Sequence, residues 1–279
     1  MANVTTTTAA NLLVDRWKRE MQIDPNEELV VAANAWDLDG EKIGNKIYVR
    51  KVATIGATTF SSGTSLTYTA NTEARTTVSP VAAYAATQVE RPVLNRMLSD
   101  SELATAHRKQ IQAGLDAHID SSFADDAVNL SSQTGGAGNN LTESLIWDSL
   151  QTLKVNAKAA DKDGGMRYFI IHTSQFSNLM QIAAFSQADI RGDAANPKVT
   201  GFVHKAAGLM ISDSANVWQA GGLSYNLLHL KKAIILAYNE RPTMLEPQPE
   251  ELTTRFIGYT EFGVAENYDN FAVAVLTDA

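Results

Sequence analysis

The chain has 279 residues, with 23 Lys and Arg against 31 Asp and Glu, a formal charge of −8 and no Cys. The length allows a substantial core, the lack of Cys excludes disulfide staples, zinc ribbons, thiolate catalysis and cysteine-ligated iron–sulfur clusters, and the acidic balance opposes charge-driven nucleic-acid binding. Only 19% of the residues are charged, against about 25% in a typical soluble domain, because 39 Ala and 25 Thr take their place; such a surface is either lightly solvated or covered by partners.

Met1 to Ala10 is rich in Thr and Ala and lacks a basic segment followed by an apolar one, so no secretory signal is expected there. No apolar run reaches the ~18 residues of a membrane-spanning helix. From Ala9 to Ile23, Leu12, Leu13, Trp17 and Met21 recur at helical spacing, with Asp15, Arg16, Lys18, Arg19 and Glu20 mostly opposite. Asp24-Pro25-Asn26 ends that helix. Asp37-Leu38-Asp39-Gly40 reads as a turn, and Lys46 to Val52 as a strand. Ala53 to Pro80 then holds nine Thr and only two charges, Glu73 and Arg75, in 28 residues, with a turn at Ser61-Ser62-Gly63. A hairpin of that composition has no core of its own. It is either a flexible surface loop or an arm packed on a neighbouring subunit.

The strongest helix runs from Glu102 to about Val128, with Leu103, Ile111, Leu115, Ile119 and Phe123 on one side and Arg108, Lys109, Gln112 and Asp116 on the other. Ser99 and Glu102 have capping-box spacing, and Asp100 adds a second acidic group at that end. Residues 131–140, with three Gly, read as a flexible linker between domains. Asn140 with Glu143 opens a second helix carrying Leu145, Ile146, Leu150 and Leu153, ending near Ala160. Arg167 to Ile171 is a buried-strand pattern after the Asp161–Gly165 turn, and Ser174 starts a short helix with Phe176, Leu179 and Met180. A loop-like stretch from Phe185 to Lys205 precedes a short strand at Leu209–Ile211. Leu227 to Ala237 reads as extended around Lys231-Lys232, and the last strands are Thr253 to Tyr259 and Asn270 to Leu276.

No catalytic constellation is visible. His107 and His118 lie about three helical turns apart, too far to share a metal. His172 follows a strand beside Thr173 and Ser174, where a base could sit, but no nucleophile elbow or paired acid accompanies it. His204 and His229 have less context still. The Asp37 and Asp161 segments start like calcium loops, but Gly comes fourth and the twelfth positions are Tyr48 and His172, so both read as turns. Gly135-Gly136-Ala137-Gly138 lacks the lysine of a phosphate loop. No residue is therefore assigned a catalytic, cofactor-binding or metal-binding role. Arg16, Lys18 and Arg19 form the only tight basic cluster, which reads as a solvated helix face before a nucleic-acid patch.

The order of these elements resembles the tailed-phage major capsid proteins. A short arm, a Thr-rich hairpin and a spine helix ending in Leu115-Asp116-Ala117-His118-Ile119-Asp120 precede a mixed α/β region. Local phrases agree in the same order. They are Arg167 to Thr173, Gly201-Phe202-Val203, Gly208 to Ser214, His229 to Ile234, and Gly258-Tyr259-Thr260-Glu261-Phe262-Gly263-Val264.

The resemblance implies an α+β fold of the Hong Kong 97 type. It implies an N-terminal arm over 1–45, an extended β-hairpin loop and its base over 46–90, and the spine helix of a peripheral domain over 91–130. Residues 131–250 would be mostly axial domain, and 251–279 closing strands shared between the two. Hexamers and pentamers of the chain would close into an icosahedral shell enclosing double-stranded DNA without sequence-specific binding. The implied partners are a scaffolding protein, a portal and decoration proteins, with no membrane, in a virion assembled in the host cytoplasm. Some relatives cross-link through a loop Lys; residues 53–80 contain none, so a noncovalent shell is expected. Only about 45 residues precede the first strand, so scaffolding is expected from a separate protein. An encapsulin-like nanocompartment and a mixed α/β enzyme using His172 stand as alternatives.

Overall fold

The computed structural model describes residues 29–39, 42–43, 46–52, 73–90, 101–158, 166–186, 205–206, 208–245, 248–249 and 253–279. The expected helix at 9–23, the cap at Ser99 and Asp100, the tip of the Thr-rich hairpin, the turn at 161–165 and most of the 185–205 stretch lie outside them. The first strands are β1 (Trp36–Asp39), β2 (Lys42–Ile43), β3 (Lys46–Val52), β4 (Glu73–Val78) and β5 (Val81–Glu90). Helix α1 (Ser101–Asp125) leads through a 3-10 turn to β6 (Gln133–Gly135) and α2 (Glu143–Ala157). Then come β7 (Arg167–His172), α3 (Phe176–Gln181), α4 (Ala183–Ser186), β8 (Lys205–Ala206), β9 (Leu209–Ser214) and β10 (Gln219–Ala220). The chain closes with β11 (Leu223–Leu230), β12 (Ile234–Met244), β13 (Gln248–Pro249), β14 (Thr253–Glu266) and β15 (Ala272–Asp278).

These strands make three sheets. In the first, β14 is central, with β12 and β13 along one side, β5 along the other and β1 outside β12. The second runs β6-β15-β11-β7-β9-β8, with β10 also on β11. The third is the small sheet β2-β3-β4. Helix α1 spans roughly 38 Å; it lays Ile111 and Leu115 onto the first sheet, and Ile119 and Phe123 enter the core that both large sheets line. A Cβ on Gly258 of β14 would stand 2.5 Å from Ile111 Cγ2 and 3.0 Å from Leu115 Cδ1, so the glycine permits this close seating. Helix α2 covers the opposite side of the second sheet with Ile146, Leu150 and Leu153. Strand β15 lies between the two cores. Ala272, Ala274 and Leu276 face one, and Val273 and Val275 face the other. Burial on both faces explains its unbroken apolar run.

Four sequence expectations change. Asp37-Leu38-Asp39 is not a turn but part of β1, parallel to β12, with Trp36 opposite Ile235. Residues 131–140 are not a loose linker: β6 pairs in parallel with β15, and Gly136 N–H donates to Leu276 O at 3.2 Å. The cap of α2 is Thr142, whose Oγ1 accepts the Leu145 N–H at 3.3 Å, rather than Asn140. Leu227 to Ala237 is two strands in two sheets, broken by a turn at residues 231–233. In each case a distant partner or a side-chain oxygen satisfies backbone groups in a way local composition does not encode.

Candidate functional site

The expected arm is rooted in the small sheet. Strands β3 and β4 pair antiparallel from Ile47 opposite Val78 to Val52 opposite Glu73. The 20 residues between them, 53–72, carry no charge. A small apolar cluster seats the root: Ile47 and Val78 against Ile235 and Ala237, joined by Trp36, Leu38, Val49 and Ala265. A cluster that size anchors a hairpin base and no more. Beside the root, β5 leaves the first sheet with an exposed outer face. On that face Ala82, Tyr84, Ala86 and Gln88 are exposed, Tyr84 to 76%, and Tyr84 sits opposite Tyr259; Val81, 69% exposed, starts the other face, where Ala83 packs on the core.

The segment 29–35 that precedes β1 is held by a residue that sequence reasoning does not single out. Asp120 is fully buried on α1. Its Oδ2 accepts the Val30 N–H at 2.9 Å and its Oδ1 the Ala32 N–H at 2.8 Å. Burial raises its pKa, and the bonds from the 30–32 backbone pull it back down. The carboxylate thus serves as a clamp for main-chain donors that have no sheet to join.

The end of α1 meets a cluster of charge. Burial pushes the Asp126 carboxyl up to about 6, with Glu266 and Asp125 adding repulsion. Glu266 is also raised, by burial and by Asp269, while Lys51 from the loop root partly offsets this. Burial lowers the Lys51 ammonium.

The histidines are not brought together. His172 Nδ1 accepts the Ser174 N–H at 3.2 Å, with Ser174 Oγ at 2.8 Å, so its lone pair caps the turn after β7. His118 meets Phe262 edge-on at 5.7 Å. His204 lies outside the described residues. Among the described residues no group of three His, Asp or Glu could hold a metal.

His229 is fully buried in β11, stacked on Tyr168 at 5.6 Å, with Phe123 at 6.0 Å. Its Nδ1 lies 3.1 Å from Leu230 O, and Nε2 has no partner. Burial lowers its pKa from 6.5 to about 4. The unfolded chain therefore takes up this proton first, and the folded state loses stability as pH falls from about 6.5 to about 4, by ~3 kcal/mol in all. Asp126 acts in the opposite sense, because a raised carboxyl favours the folded state as pH falls below about 6. The difference between wild type and His229→Leu isolates the histidine. Leu230 O still accepts from Ala233 N–H at 2.9 Å, so the variant leaves no orphan and is expected within about 1.5 kcal/mol of wild type at pH 7.5. Urea unfolding at pH 7.5, 5.5 and 4.5 checks this: parallel curves for the two proteins would contradict it.

No sequence-family model matches the chain, and no curated protein sequence does. Solved structures do match, over nearly the whole length. The capsid of a native GTA particle superposes with a TM-score of 0.73 at 12% identity, covering 100% of both chains. The capsid of cyanophage P-SCSP1u gives 0.68 at 14% identity, covering 100% of this chain and 97% of that one. The capsid of Myoviridae phage XM1 gives 0.65 at 10% identity, covering 94% and 97%. Spine helix, hairpin root and two-sheet body, matched from end to end by these shell proteins, make this the Hong Kong 97-type fold of phage capsids.

Proposed function

We propose that this chain is the major capsid protein of a tailed double-stranded DNA bacteriophage, assembling as hexamers and pentamers into an icosahedral shell around the genome. The observation that carries this reading is the full-length likeness to capsid chains at 10–14% identity. A fold kept at such low identity, with a long uncharged loop on a small root, suits a subunit whose surfaces are completed by neighbours. Within it, residues 1–45 are the arm, whose last part includes β1 and β2 and joins the sheets, 46–90 are the loop and its base, and 91–130 the spine helix of the peripheral domain. Residues 131–250 are mostly axial domain, and 251–279 the closing strands. The partners are further copies of the chain, with a scaffolding protein, a portal and decoration proteins in the virion, after assembly in the host cytoplasm. Its role is structural, with no catalytic step. DNA is enclosed without sequence reading, and the acidic chain avoids tight counterion-release binding to it.

Negative-stain microscopy of the purified protein tests this: rings of five and six or closed shells are expected. Only monomers at high concentration would contradict it, and shells holding a protein cargo instead of nuclease-protected DNA would favour a nanocompartment. The loop is tested by deleting Thr58 to Thr72. The root cluster remains, so the subunit is expected to stay folded with its melting point within about 4 °C of wild type, while stable shells disappear. Global unfolding of the deletion variant would show that the loop belongs to the subunit's own core.

A further inference from the structure

Asn267 lies where the loop root meets both short connections between the two large sheets. One connection is the turn at 231–233 between β11 and β12, and the other is 267–271 between β14 and β15. Asn267 N–H donates to Ala233 O at 2.7 Å, and its Nδ2 donates to Lys232 O at 3.1 Å. The Tyr268 N–H reaches the same Ala233 oxygen at 3.0 Å. From the loop side, Thr76 Oγ1 of β4 donates to Asn267 Oδ1 at 3.3 Å, and Lys51 Nζ of β3 donates to Asn267 O. All four polar groups of one buried residue are thus used, two toward the turn and two toward the loop root. Lys51 also stands 4.6 Å over the Tyr268 ring, with the Glu266 charge nearby.

The other attachments of the root differ in kind. They are the apolar cluster around Ile47 and Val78 and the contact of Val78 with Gly263, where a Cβ would come within 2.8 Å of Val78 Cγ1. Apolar contacts are non-directional and allow a hairpin to tilt. Hydrogen bonds, above all one from an ammonium, fix an angle.

We propose that Asn267, gripped by Lys51 and Thr76, is a pivot that couples the tilt of the loop hairpin to both connections between the sheets. A tilting hairpin pulls on the residue that clips the 231–233 turn, so loop and sheets adjust together. This rests on the shell reading for its purpose: pentamers and hexamers place one chain in unlike surroundings, and a coupled hinge suits that demand.

Hydrogen exchange on the full chain tests the coupling whether or not shells form, so its outcome is separate from that of the microscopy. Lys51→Met keeps the aliphatic stem and removes the charge and donor. It is expected to speed exchange about tenfold at 46–52, 73–78 and at the Asn267 and Tyr268 amides, with β7 and β11 unchanged. Thr76→Val is expected to show the same pattern at about threefold, and it carries the comparison alone if Lys51→Met does not fold. Faster exchange confined to 46–52 and 73–78 would overturn the pivot. So would no change at all, or a uniform rise that includes β7 and β11, which would mean general destabilisation.

Discussion

Gly135→Ala is expected to destabilise the protein by about 4 kcal/mol, more than a typical single substitution. Gly135 has φ +88°, and a Cβ there would stand 2.2 Å from Leu276 O and 3.2 Å from Leu276 C. Both atoms are backbone of β15, the strand between the two cores, so neither side can yield cheaply. Pushing β6 away would also break the Gly136 bond to Leu276 O. Gly138 provides the control: its φ is +79°, but no atom lies within 4 Å of where its Cβ would stand. Gly138→Ala is therefore expected to cost only the left-handed conformation, about 1 kcal/mol. Thermal or urea unfolding of the two variants checks the pair. Equal losses would mean that backbone conformation, and not the close approach to β15, sets the requirement.

Asp120→Ala is expected to cost about 3 kcal/mol, because it leaves the Val30 and Ala32 donors without partners at roughly 1–3 kcal/mol each. The relief of burying one fewer carboxylate offsets part of this. The loss should be local as well as global. Val31, Ala32 and Ala35 pack into the core beside Ile119 and Phe123, so releasing the 30–32 backbone uncovers that end of the helix. Hydrogen exchange at Val30 and Ala32 is expected to rise at least tenfold, with Asp120→Asn intermediate because an amide can accept only one of the two bonds. Unchanged protection at those amides would show that apolar packing alone holds the segment.

Much of the local structure is legible in the sequence. The fourfold spacing of Ile111, Leu115, Ile119 and Phe123 marks α1, and all four are buried. The Lys46–Val52 pattern matches β3 residue for residue, and Arg167–Ile171 falls within β7. Position 258 shows the limit. The stretch Gly258 to Val264 is recognisable as family-like, but nothing in it tells that Gly258 receives Ile111 and Leu115. Asp120 and Asn267 escape a sequence reading for a related reason: the donors that Asp120 holds lie 88 and 90 residues away, and the loop-root partners of Asn267 lie 191 and 216 residues away. Buried polar hubs leave no periodicity to follow.

The low charge has a similar division. Composition alone established that 53–72 is uncharged and that only 19% of the chain is charged, which left a lightly solvated surface and a partner-covered one both open. The tertiary structure decided what that segment hangs from: a two-strand root, a small apolar cluster and the directional bonds to Asn267. Helical and strand periods are set by neighbours a few residues apart, so the sequence carries them openly. Parallel pairings such as β1 with β12 and β6 with β15 join segments more than a hundred residues apart. They form because backbone donors and acceptors must be satisfied somewhere and because apolar faces must meet, and only the folded chain determines where.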